Sequence, residues 1–163
     1  MPLSTLCQRC GLCCDGSLFS SLPLRYSEVE AMQRLSLPVV NRPDGTPGLE
    51  QRCAALKGQC CTVYAERPEQ CRRYRCFLLT ALAEGEVSPE EAQVVVDEAH
   101  ARIRAVEALL PSERADSPRA VLQRARKEDL PENGGPLPPQ TQEVWAQAES
   151  YLDRHFRGRH RRM

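Results

Sequence analysis

The sequence predicts a mainly α, small single domain with an irregular, metal-nucleated cysteine-rich N-terminal half and a helical C-terminal half. Three observations carry that prediction. All nine cysteines fall between residues 7 and 76 and none follows. The second half carries serine and proline helix starts followed by apolar residues at helical spacing. A chain of 163 residues is long enough for one domain with a hydrophobic core and short for two domains. The expected organisation is a cysteine-cluster metal-binding region over 5–85, a helical region packed on it over 86–128, a Pro/Gly linker over 129–139, and a C-terminal amphipathic helix with a basic tail over 140–163.

In the first half, Ser27 followed by Glu30 reads as a capping box, and Val29, Met32 and Leu35 supply an apolar stripe, so a short helix over 28–36 is expected, ended by Pro38. Residues 40–48 hold Pro43, Gly45, Pro47 and Gly48 and read as turns. After Arg67 and Pro68, the positions Cys71, Tyr74, Leu78 and Leu82 predict a helix over 69–84. Five residues separate Cys71 from Cys76, about 140° around an ideal helix. Both reach one site only if the helix is irregular there; otherwise they serve different sites.

The second half is more regular. Ser88, Pro89 and Glu91 form an N-cap, a proline at the first helical position and a capping-box acid, and the helix runs to about Leu110 before Pro111. Val95, Ala99, Ile103, Val106 and Leu110 are its apolar stripe. Ser117 and Pro118 start a shorter helix with Val121, Leu122 and Ala125. The connector 129–139 is expected to be extended and mobile. Val144, Ala148, Tyr151, Leu152, His155 and Phe156 make the last amphipathic helix.

Charge excludes little and suggests little: 22 basic and 22 acidic residues cancel, so no global field selects nucleic acid, a membrane or an acidic substrate. The start MPLSTLCQRC has neither a basic nor an apolar signal region, and no run approaches the ~18 apolar residues of a membrane span. A cytoplasmic protein with no membrane partner is the expectation. In a reducing compartment, clustered cysteines read as metal ligands or redox thiols, not as a disulfide framework.

Thiolates crowded together without a cation repel one another, and protonated thiols are left open to oxidation; a metal ion removes both problems. Cys7 and Cys10 form a C-x-x-C pair on one tight turn with Gly11 directly after it. Adjacent side chains diverge in extended backbone, so Cys13 and Cys14 point to different sites or only one of them binds, and the same holds for Cys60 and Cys61. With Cys53, Cys71 and Cys76 there are nine candidates for two four-ligand sites, one spare. Arg9, Arg52, Arg67, Arg72, Arg73 and Arg75 lie close to cysteines and suit anionic sites.

The ordered strings C-x-x-C-G-x-C-C at 7–14, Cys53, G-Q-C-C-T-V-Y at 58–64 and E-R-P-E-Q-C-R-R-Y-R-C at 66–76 resemble the YkgJ-type cysteine-cluster family (CxxCxxCC), described as a zinc- or iron-chelating domain. The resemblance covers about residues 5–80. It implies Cys7, Cys10, Cys13, Cys14, Cys53, Cys61, Cys71 and Cys76 as ligands and leaves Cys60 as the extra thiol. Flagellin lysine methylases carry similar clusters, but those chains are much longer and nothing here resembles their cofactor-binding region.

The expected function is therefore metal binding, with zinc or iron as cofactor. The alternatives are an iron-sulfur redox or electron-transfer protein and an accessory protein of an enzyme. Four thiolates suit closed structural zinc and iron-sulfur clusters alike. Arg67, Tyr64 and Tyr74 read as structural supports, and His100, His155 and His160 as residues outside the site. No catalytic residue is assigned. A protein partner would meet the helical half. Arg154, Arg157, Arg159, Arg161 and Arg162 near the end are read as complementing a helix dipole and fraying into solvent, in preference to binding nucleic acid.

Overall fold

The computed structural model describes residues 2–113 and 120–157. The mainly α class is correct: seven α-helices lie among the described residues, with short strands confined to the N-terminal half. The helices are α1 (Pro2–Cys10), α2 (Val29–Arg34), α3 (Glu69–Arg73), α4 (Phe77–Ala83), α5 (Pro89–Leu109), α6 (Val121–Glu128) and α7 (Pro139–Leu152). The start of α6 expected at Ser117 and Pro118, and the tail arginines Arg159, Arg161 and Arg162, lie outside the described residues.

In α5 the Ser88 hydroxyl accepts the Glu91 amide at 3.0 Å, as its sequence predicts. Its buried face is Ala92, Val96, Ala99, Ile103 and Val106. Val96, fully buried, takes the place expected of half-buried Val95. α5 packs on α1, α4, α6 and α7. Between them lies the larger core, where Leu12, Val96, Val106, Leu122, Leu152 and Phe156 are fully enclosed. Each such side chain contributes roughly 1.5–3 kcal/mol by leaving water.

The segment read as turns is in fact a hairpin. Strands β2 (Val39–Asn41) and β3 (Pro47–Glu50) pair antiparallel, and β1 (Ser21–Pro23) covers the other side of β3, giving the order β1-β3-β2. The turn is closed by Asp44, whose carboxylate accepts the Thr46 amide and hydroxyl. Leu49 faces both Leu22 and Val39 across the sheet. With Leu24, Met32, Leu37 and Ala55 it forms a second, smaller core. A two-stranded ladder, β4 (Leu56–Lys57) with β5 (Cys60–Cys61), follows.

Two further expectations are revised. The helix expected over 28–36 is shorter and follows a 3-10 turn over Tyr26–Glu28 whose cap is Arg25, not Ser27: one Glu28 oxygen accepts the Arg25 amide at 2.9 Å and the other accepts the Glu69 amide at 2.7 Å. That carboxylate thus holds the first turn of α3 beside α2. The connector 129–139 is folded, not extended: residues 131–133 make a 3-10 turn, Leu137 is buried, and Asp129 accepts the Leu137 amide at 2.9 Å.

Beyond α7 the chain makes one wide turn over Asp153–Arg157 that buries Phe156 and Arg157. Arg157 does not fray into solvent. Its guanidinium meets Glu149 at 2.6 Å, Asp153 at 3.0 Å and the Ser17 carbonyl at 2.8 Å, tying the last helix to the loop after the first cysteines. Charge pairing allows this burial where a lone guanidinium would be too costly.

Candidate metal centre

Leu3, Leu6, Cys7 and Cys10 recur at helical spacing, and the first cysteine pair accordingly sits on the end of a helix instead of on an isolated tight turn. Leu6 anchors α1 in the larger core. Three residues apart, Cys7 and Cys10 share one face of α1. Gly11 ends the helix with φ +69°, and a Cβ there would stand 2.9 Å from the Gln59 carbonyl. Glycine is required both for the left-handed turn and for the close approach of the second cysteine segment. The Cys14 and Asp15 amides then return to the Gly11 carbonyl, at 3.1 and 2.8 Å. From α5, His100 Nε2 lies 2.6 Å from the Cys10 carbonyl. A carbonyl only accepts, so this ring nitrogen donates.

The second group arrives on the small sheet and α3. The Cys53 amide donates to the Cys14 carbonyl at 2.7 Å, which fixes the two segments side by side. In the two-residue strand β5 the side chains alternate: Cys61 turns to the interior and Cys60 is exposed. The helix expected over 69–84 is broken. Tyr74 and Cys76 are extended, with ψ of 128° and 164°, so α3 ends and α4 begins anew with Cys76 as its N-cap. The break removes the 140° offset, and Cys71 and Cys76 both face inward. Cys76 Sγ accepts the Leu79 amide at 3.4 Å.

One cavity of about 70 Å³ is lined by Cys7, Cys10, Cys13, Cys14, Cys53, Cys61, Cys71 and Cys76. Cys60 is not among its walls. Leucines from both cores, Val96, Phe156, Tyr64 and Arg67 share the lining with Gln8, Gln51, Gln59 and other residues. The volume exceeds the ~10–15 Å³ that a single water needs. Of the six arginines that flank cysteines in the sequence, Arg67 alone lines the cavity; Arg9, Arg52, Arg72, Arg73 and Arg75 are exposed. The Arg67 guanidinium lies 3.6 Å from the Tyr64 ring centre and donates to the Tyr64 carbonyl at 2.9 Å. It also reaches the Cys71 carbonyl at 3.5 Å.

Burial pushes the Cys10, Cys53, Cys61 and Cys76 thiols above their ordinary range and holds Cys71 at about 12. Cys13 is raised most directly by its hydrogen bonds with Cys14 and Cys7. Those bonds lower the acceptors: Cys7 falls to about 6 against the cost of burial, helped by Arg67 and the Tyr64 hydroxyl, and Cys14 is lowered in the same way. Nearby backbone amides oppose the rise caused by burial, Leu12 at Cys10, Ala55 at Cys53, Val63 at Cys61 and Leu79 at Cys76, the last through the 3.4 Å bond. Amides aimed at sulfur favour the thiolate, and so does a neighbouring guanidinium.

The donor set therefore suits a thiophilic cation: eight sulfurs, four amide-supported, beside one arginine in a largely apolar wall. Among the described residues, no group of three or more His, Cys, Asp or Glu side chains is arranged to hold a metal ion as it stands. A bound ion would have to draw the thiols together and displace their protons. Two supports escaped sequence reasoning. His100 carried no ligand spacing, and its role is to hold a cysteine carbonyl from a distant helix. α1 was missed although Leu3, Leu6, Cys7 and Cys10 already display its period.

No helix among the described residues is long and apolar enough to cross a membrane. Neither the curated proteins nor the solved structures compared with this chain include a match. A family model does match, and it reaches residue 98, farther than the resemblance read from the cysteine strings and into α5. Matching residues 6–98, more than half its length, the chain belongs to the CxxCxxCC family, described as a "putative zinc- or iron-chelating domain".

Proposed function

We propose that the protein binds zinc or iron through two thiolate sites furnished by Cys7, Cys10, Cys13, Cys14, Cys53, Cys61, Cys71 and Cys76. The observation that carries the reading is the selection made by the cavity, which takes in these eight cysteines and leaves out Cys60. When bound, zinc supplies a redox-silent cross-link between distant segments, whereas iron with sulfide supplies an electron-transfer couple. The chain's own part is the same for both. Gly11 lets the two cysteine segments meet, the amides of Leu12, Ala55, Val63 and Leu79 stabilise anionic sulfur, and Arg67 offsets the negative charge of a four-thiolate site. Apolar walls from both cores keep bulk water from competing for the cation.

Metal and acid-labile sulfide content, with an absorption spectrum, on untagged protein purified without oxygen is the test. About two zinc per chain, without sulfide or visible colour, is the result for two closed zinc sites. Iron with matching sulfide selects the redox form of the same reading. A protein that neither carries nor takes up either metal overturns it.

A further inference from the structure

Eight sulfurs on one cavity wall are compatible with many partitions between ions, and the packing singles out one. We propose that Cys7, Cys10, Cys13 and Cys76 form one four-sulfur site and Cys14, Cys53, Cys61 and Cys71 form the other, the chain crossing between them at the Cys13–Cys14 peptide. This rests on the metal-binding reading above and deepens it.

The first reason is where each sulfur is packed. Cys10, Cys13 and Cys76 lie against the larger, helical core, while Cys53, Cys61 and Cys71 lie against the smaller core of the sheet. The second is how the backbone carries them. Cys7 and Cys10 share a face of α1, α1 packs on α4, and Cys76 is the N-cap of α4. The Cys13 thiol contacts both Cys14 and Cys7. On the other side, the Cys53 amide is bonded to the Cys14 carbonyl at 2.7 Å. The Thr62 amide donates to the Ala55 carbonyl at 2.8 Å, so the loop bearing Cys53 is tied to the strand bearing Cys61.

Cys13 and Cys14 lie in the turn that returns to the Gly11 carbonyl. The contact between those two thiols makes the sites neighbours within one cavity. A thiolate shared between two ions is the competing arrangement.

Cadmium replaces zinc at thiolate sites and reports its own ligands by NMR. The full chain loaded with cadmium is expected to give two metal signals, one coupled to the β-protons of Cys7, Cys10, Cys13 and Cys76, the other to those of Cys14, Cys53, Cys61 and Cys71. A signal coupled to cysteines of both sets, a cysteine coupled to both signals, or a single signal overturns the division while leaving metal binding intact. Failure of the chain to bind cadmium, zinc or iron at all removes the underlying reading as well. In the zinc form, Cys76→Ser and Cys53→Ser are each expected to lower the content from about two ions to about one. Loss of both ions in either variant, with the helical circular dichroism retained, also overturns the division.

Discussion

The two cores of this protein solve the same problem with different means. The helical one joins α1, α4, α5, α6 and α7 around sixteen buried apolar residues, whereas the sheet-side core has six, two of them from α2 and the loop after it. Strands of two to four residues cannot hold themselves together in water, since even a longer isolated hairpin is marginal. The sheet side leans on Cys53, Cys61 and Cys71, which border its core and face the cavity. The contrast teaches that the helical core has far more buried apolar surface to hold it than the sheet-side core, which is bordered by thiols.

On the proposed zinc reading, removing the metal is the sharpest way to break that comparison. A structural zinc supplies on the order of 10 kcal/mol to the fold that binds it. Chelation is therefore expected to speed amide exchange in β1, β2, β3, β4 and β5 by more than about a thousandfold, equivalent to ~4 kcal/mol of lost protection. Amides of α5 and α7 are expected to change by less than about threefold. Equal acceleration of both halves would show that the cores do not differ in this way.

A smaller effect is expected from the opposite side. Leu152 is fully buried in the helical core and does not line the cavity. Leu152→Ala is expected to cost about 2–5 kcal/mol through lost burial and the void left behind. Thermal unfolding measures that loss, and elemental analysis of the folded variant is expected to show wild-type metal content. Metal lost along with stability would mean that the helical core, not the thiols alone, shapes the site.

The same contrast explains what the sequence discloses. α5 is legible because its signals repeat: a serine cap, a proline at the first position and an apolar face over five turns. The sheet is not, because its strands are short and contain Pro23, Pro47 and Gly48, residues that ordinarily mark turns. The break between α3 and α4 is hidden as well. Helical spacing continues across Tyr74, Arg75 and Cys76, and the stop is set by a cysteine sulfur capping the next helix. Arg157 reads as tail because its partners, Glu149 on α7 and the Ser17 carbonyl, are fixed by the tertiary fold. The eight cavity cysteines are legible for another reason: their order along the chain carries the family's pattern even where local structure is irregular.

The smallest effect expected belongs to the cysteine that the pattern leaves over. Cys60 and Cys61 are chemically identical and adjacent, so composition cannot separate them; the alternation of strand β5 does, by exposing one and turning the other to the cavity. Cys60→Ser is expected to change stability by no more than about 0.5 kcal/mol, as for an exposed residue without buried contacts. Metal content is expected to stay at its wild-type value. Cys61→Ser, one position away, removes a sulfur that receives the Val63 amide and stands near Cys14, and it is expected to lose about one ion. The pair of variants isolates side-chain direction from every other property of the two residues. Loss in Cys60→Ser with none in Cys61→Ser would mean that β5 pairs in a different register when metal is bound, because a shift of one residue would exchange which thiol faces inward.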